Sequence, residues 1–232
     1  MTAKLNSFDT GAALADALAT RVAEALSAGI AARGRASLAV SGGSTPKAFF
    51  KALSSAGIDW PKVTVTLVDE RFVPPDSDRS NHKLVAENLL QNAAGAAVFV
   101  PLYHAGETAE EAAADASGAT ADISHPFDVA ILGMGTDGHT ASFFPGGSRL
   151  AEALDPTTAR GVITMEAEGA GEPRLTFTFS ALADARLLVL HIEGNGKKDV
   201  LEKAETDGPE AEMPIRAVLR RAASPVEIYW AP

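Results

Sequence analysis

The chain of 232 residues carries 30 acidic against 20 basic side chains, a formal charge of -10, and no cysteine. Disulfides, thiolate nucleophiles and cysteine-ligated metals are thereby excluded, a reducing cytoplasm is the expected compartment, and the acidic balance argues against nucleic acid or an anionic membrane surface as partner. A small anionic ligand stays open, provided that the few cationic side chains are gathered where it binds.

One α/β domain over residues 1–232 is the simplest organisation for this length. No apolar run nears the roughly 18 residues that span a bilayer, and Lys4 with no apolar core behind it predicts no secretory leader. Residues 11 to about 33 place Leu14, Ala17, Leu18, Val22, Ala25 and Leu26 on one helical face, with Asp9 or Thr10 as N-cap. Ser37-Leu38-Ala39-Val40 reads as a short buried strand that empties into Ser41-Gly42-Gly43-Ser44-Thr45-Pro46, after which Phe49, Phe50 and Leu53 restore helical spacing. A strand, a glycine and hydroxyl loop, then a helix with proline in its first turn is the pattern of an anion site. Glycines let backbone N–H groups approach the ligand, the helix dipole favours negative charge, and Ser44 and Thr45 add hydroxyl donors. The loop lacks the Gly-Lys-Ser/Thr of a Walker A motif, so a single phosphate fits it better than a triphosphate. An ordinary capped strand-to-helix turn would read the same way.

Residues 63–68 alternate as a strand and end in Asp69-Glu70-Arg71-Phe72-Val73-Pro74-Pro75. Those three charges are either a solvated loop with an Asp–Arg pair or a contribution of Asp69 and Arg71 to the same crevice, after a second parallel strand. Residues 76–81 cap a helix running to about Leu90, with His82 on its surface; 98–100 suggest a strand, and 107 to about 122 an alanine-rich acidic helix with a solvated face.

Residues 127–132 form an apolar run that leads into Gly133-Met134-Gly135-Thr136-Asp137-Gly138-His139-Thr140-Ala141-Ser142 before Pro145. In open α/β sheets ligands bind at the carboxyl ends of strands, which makes His139 the leading candidate for chemistry. Gly133, Gly135 and Gly138 match the spacing of a dinucleotide fingerprint. Asp137, however, would put a negative charge where pyrophosphate lies, and neither Glu152 nor Asp155 ends a strand-like run, so no nicotinamide or flavin is expected.

From 146 to 171 the many Gly, Pro and Thr residues predict loops near the site, with 162–165 as the only strand-like run. Residues 174–179 alternate as a strand, and 187–190 form a buried one that enters Gly194-Asn195-Gly196-Lys197-Lys198. Two lysines in a first helical turn oppose the helix dipole, a conflict that an anionic ligand would remove. A helix near 215–221 and a strand at 225–230 close the chain. The whole pattern predicts a mostly parallel, Rossmann-like, doubly wound sheet flanked by helices, with four loops converging at one edge. No histidine pair has metal-ligand spacing, so no metal is expected.

These four loops in this order, together with Ser80-Asn81, resemble the 6-phosphogluconolactonases over nearly the whole chain; Asp137-Gly138-His139-Thr140-Ala141-Ser142 is the most specific block. The resemblance implies the type of fold shared by glucosamine-6-phosphate deaminase and ribose-5-phosphate isomerase. It also implies hydrolysis of 6-phosphoglucono-δ-lactone to 6-phosphogluconate in the oxidative pentose phosphate pathway, with no metal or organic cofactor. In that reaction His139 would take a proton from the attacking water and return one to the ring oxygen, while Asp137 orients the loop or the imidazole. Gly42, Gly43, Ser44 and Thr45, with Asp69, Arg71, Arg174 and Lys197, would hold the phosphate and the surrounding hydroxyls, and the N–H groups of Gly42 and Gly43 are candidate oxyanion donors. Glucosamine-6-phosphate deaminases resemble the chain in the first loop, Asp69 and the Asp-Gly-His core, but their pattern has a glutamate where Phe144 precedes Pro145. A sugar-phosphate sensor of this fold would carry a DNA-binding module, for which this acidic chain leaves no room. A monomer is expected, because no apolar stripe is left over.

Overall fold

The computed structural model describes residues 3–232. Along them run the strands β1 (Lys4–Ser7), β2 (Ala36–Val40), β3 (Val63–Leu67), β4 (Asp69–Arg71), β5 (Val98–Val100), β6 (Val129–Leu132), β7 (Val162–Met165), β8 (Arg174–Phe177), β9 (Leu187–Glu193) and β10 (Val226–Ala231). The helices are α1 (Gly11–Arg33), α2 (Lys47–Ser54), α3 (Asn81–Asn88), α4 (Ala109–Thr120), α5 (Leu150–Leu154), α6 (Phe179–Leu182), α7 (Asn195–Glu205) and α8 (Ile215–Arg221).

Seven strands make one sheet in the order β1-β10-β9-β6-β2-β3-β5, and every pairing in it is parallel. The expected mostly parallel, doubly wound α/β architecture is therefore present. From β2 the chain builds outward through β3 to β5, returns to β6 on the other side of β2, and builds outward again through β9 and β10. The order thus reverses between β2 and β6, and at such a switch point the following loops turn apart and leave a crevice. Central strands covered on both faces read as continuous apolar runs, and β2 and β6 are buried at every position. Helix α1 starts at Thr10, whose hydroxyl accepts from the Ala13 N–H at 3.1 Å, and it buries Leu14, Leu18, Val22 and Leu26. Ala17 and Ala25, expected on that face, are only half-buried.

Two segments depart from expectation. Asp69–Arg71, read as a loop at a parallel strand's end, is the antiparallel strand β4, which pairs with β8 and through it with β7 in a separate three-stranded sheet. Residues 146–171 contain α5 besides the expected strand β7. The acidic helix α4 has the expected solvated face, with Glu110, Glu111 and Asp115 exposed, and buries Ala112, Ala113 and Ala116 on the other.

Glu70 explains why β4 is a strand and not a solvated loop. Its carboxylate is fully buried. It accepts from the N–H groups of Arg71 (2.7 Å), Asn81 (2.8 Å) and His82 (2.7 Å) and from the Ser80 hydroxyl (3.0 Å). Burial pushes this carboxyl above its ordinary value and the backbone donors pull against that. Glu70 thereby ties β4 to the first turn of α3, where backbone N–H groups otherwise lack partners. In Glu70→Gln the amide NH2 would face donors in place of one oxygen. We expect a loss of about 2–4 kcal/mol, as about two buried hydrogen bonds fail, measured as a lower midpoint in urea unfolding with an unchanged slope.

Candidate active site

At the switch point a cleft of about 260 Å³ opens, and all of the predicted site residues except Asp137 line it. One wall is the loop after β2. Gly43 takes φ 95°, a left-handed conformation that suits glycine, and a Cβ on Gly42 would run into the Asn81 side chain. Among the described residues no protein acceptor meets the N–H groups of Gly42, Gly43, Ser44 or Thr45, and α2 has no side-chain cap. The first turn of α2 therefore offers unpaired donors and the positive end of its dipole to the cleft.

The facing wall comes from the second sheet. The β4–β8 register sets Arg71 opposite Arg174, and the Nε atoms of both are buried with no partner among the described residues. Asp69 Oδ2 lies 3.9 Å from Arg174 Nη1 and accepts from the Ser142 hydroxyl at 2.6 Å. Burial pulls the Arg174 guanidinium below its ordinary value, against the charge of Asp69. Two arginines side by side with one carboxylate between them leave a positive excess that an anion would neutralise.

Lys197 closes the ring from α7. Its ammonium donates to the Met134 carbonyl at 2.6 Å, and burial lowers its pKa against the opposing charge of Asp137. Lys198 points elsewhere, its Nζ lying 4.3 Å from the centre of the Trp230 ring. Of the two lysines in that helical turn, Lys197 is the one in the cleft.

His139 sits where these walls meet. Its Nδ1 is 2.6 Å from Asp137 Oδ1, and the same oxygen accepts from the His139 N–H at 3.1 Å. Burial works to raise the Asp137 carboxyl, but the hydrogen bonds and charge of His139 outweigh it and hold the carboxyl below its ordinary value. An ionised carboxylate only accepts, so Nδ1 carries the proton, and in the neutral ring the lone pair is on Nε2. Asp137 itself stands behind the imidazole, on a separate groove lined by Lys203, Glu212 and Met213. It does not line the cleft itself. The loop is pinned by hydrogen bonds from Thr140 Oγ1 to the Gly133 carbonyl (2.8 Å), from Gly135 N–H to the His139 carbonyl (2.8 Å) and from Ile215 N–H to the Gly138 carbonyl (2.9 Å). Phe144 lies against the imidazole, ring centroids 4.5 Å apart, and Arg174 lies 5.3 Å from the centre of the same phenyl ring.

Two polar cleft residues were given no place in the site from sequence. Asn81, whose amide donates to the Asp69 carbonyl at 2.9 Å, is buried beside Gly42. His191, near the end of β9, is also buried and lines the cleft. A lone imidazole beside an apolar strand was the available signal for the second; the first was marked only by its place in the Ser80-Asn81 pair that helps carry the resemblance.

A sequence model of the family described as glucosamine-6-phosphate isomerases/6-phosphogluconolactonase matches residues 9–230. The chain belongs to that family. Among its relatives, a 6-phosphogluconolactonase of Rhizobium meliloti is 72% identical over 232 residues, covering all of both chains. A crystal structure of a 6-phosphogluconolactonase from Shewanella baltica superposes with a TM-score of 0.96 at 42% identity, over 99% of this chain and 98% of that one. A monomeric glucosamine-6-phosphate deaminase matches with a TM-score of 0.79 at 17% identity, over 98% and 97% of the two chains, a likeness of fold alone.

Proposed function

We propose that the protein hydrolyses 6-phosphoglucono-δ-lactone to 6-phosphogluconate, with His139 as general base and then general acid. The observation that carries this is the Asp137–His139 pair: in the neutral imidazole it reserves Nε2 as the acceptor, in a cleft that also gathers three cations and unpaired N–H donors. Nε2 takes a proton from water as its oxygen attacks the lactone carbonyl carbon. The tetrahedral intermediate then collapses, the bond from that carbon to the ring oxygen breaks, and the imidazolium returns the proton to the leaving oxygen. The unpaired N–H groups of Gly42 and Gly43 are the donors for the transient oxyanion. The α2 N-terminus with Ser44 and Thr45, and the cations Arg71, Arg174 and Lys197, take the phosphate and neighbouring hydroxyls, and Asp69 accepts from a hydroxyl. Every proton is handled by His139, so the reaction as written calls for no cofactor.

The deaminase alternative requires a carboxylate beside the histidine, where this chain presents the Phe144 ring. The same reading takes the protein as a single-domain monomer of the cytoplasm. Its test is acid release from freshly generated lactone at near-neutral pH, with spontaneous opening subtracted, set against ammonia release from glucosamine 6-phosphate. Acceleration of the first alone is expected; ammonia release without lactone opening would overturn it. Lys197→Ala should raise KM about 10- to 100-fold, as one charge-assisted hydrogen bond of roughly 1.5–3 kcal/mol is lost, with little change in kcat.

A further inference from the structure

A second imidazole–carboxylate pair borders the same cleft, and the hydrolysis above makes no use of it. His191 stands in the apolar run of β9 with its side chain 2% exposed. A polar ring buried there costs free energy unless its nitrogens are matched. Nε2 is matched, 3.2 Å from Glu193 Oε1. Among the described residues Nδ1 has no protein partner, yet it is not among the sealed-off nitrogens, as His104 Nε2 and His125 Nδ1 are, and the residue lines the cleft. The ring lies edge-on to Phe49, centroids 6.0 Å apart, in the first turn of α2. His191 is thus packed against the helix whose N-terminus receives the phosphoryl group.

The surrounding charges come from four elements. Glu193 shares its strand, and a Cβ on Gly11 at the start of α1 would stand 2.9 Å from Glu193 Oε2, which puts that carboxylate at the positive end of the α1 dipole. On β10 the register partner is Tyr229, whose hydroxyl donates to Glu227 at 3.4 Å. Lys197 of α7 shares the cleft, while α2 contributes only the apolar Phe49.

We propose that His191 is a further substrate-binding residue whose ring becomes doubly protonated when the phosphoryl group enters. It takes the second proton from solvent, keeps Nε2–H on Glu193 and donates Nδ1–H to a phosphoryl oxygen. An imidazolium between two anions is stabilised from both sides, so binding and proton uptake are linked. This rests on the placement of phosphate at the Gly42–Thr45 loop.

The test is calorimetric titration with 6-phosphogluconate in two buffers of different ionisation enthalpy, which counts the protons taken up. Wild type is compared with His191→Asn, which keeps an N–H near the Nδ1 position and cannot charge, and with Glu193→Gln. Both variants are expected to take up fewer protons. If half a proton is linked, the affinity of the wild type falls about tenfold more than that of His191→Asn between about pH 6.5 and about pH 8.5. Gluconate, lacking the phosphate, should show no uptake that depends on His191. Uptake equal to wild type in both variants, or affinity lost equally at every pH, would overturn the proposal. Failure of wild type to bind 6-phosphogluconate at all would instead remove the proposed function. Should His191→Asn not fold, judged by its thermal melt, the partly exposed Glu193→Gln carries the test alone.

Discussion

His139→Ala is expected to lower kcat for lactone opening by about 10²- to 10⁴-fold, the usual worth of a positioned general acid–base. The reason is specific to its geometry. Asp137 accepts from Nδ1, which leaves Nε2 as the proposed base, whereas the other imidazole of the cleft, His191, is paired through Nε2 with Glu193. The side chain is partly exposed, so its removal leaves no sealed cavity and should cost little stability. Affinity for 6-phosphogluconate should stay within a few-fold, because the groups proposed to hold the phosphate lie on other elements. Steady-state assays of freshly made lactone, paired with calorimetric binding of the product, separate the two effects. A variant that kept most of its rate would remove His139 from the chemistry.

Gly135→Ala should cost about 10²-fold in kcat with the fold intact. A Cβ at this position would overlap the His139 ring and the Asp137 carboxylate together. Both are ends of side chains, so they yield before the backbone does, and the imidazole leaves the position that the loop gives it. A displacement of about 1 Å is enough for a loss of that size, because a general base acts only within hydrogen-bond reach of the water it activates. The expected signature is a fall in kcat with KM and thermal midpoint nearly unchanged. Ordinary kcat in Gly135→Ala would mean that the pair tolerates a methyl group at its back, and that its position is set elsewhere. Gly135 therefore has a reason beyond loop flexibility: the third glycine of a false dinucleotide fingerprint, Gly138, serves the turn, and Gly135 makes room for the Asp137–His139 pair.

How much of this was legible in the sequence depended on whether the signal was local. Buried strands such as β2 and β6 declare themselves by short apolar runs, and the glycine loops after them declare strand ends, so the parallel sheet and the residues of its edge loops followed from neighbouring positions alone. His139, Asp137, Ser44, Thr45 and Lys197 are all of this kind. The tertiary structure decided what depends on register between distant segments. Arg71 and Arg174 are about 100 residues apart and meet only because β4 and β8 pair antiparallel, which no local pattern encodes. Glu70 looked like one of three solvated charges, and its burial follows from donors on α3. The choice between Lys197 and Lys198 rests on one turn of helix rotation, with Trp230 taking the second. Sequence thus named most of the polar groups that line the cleft, because loop composition is local; only the folded chain set which of them face one another, because pairing register and helix phase are properties of the whole sheet.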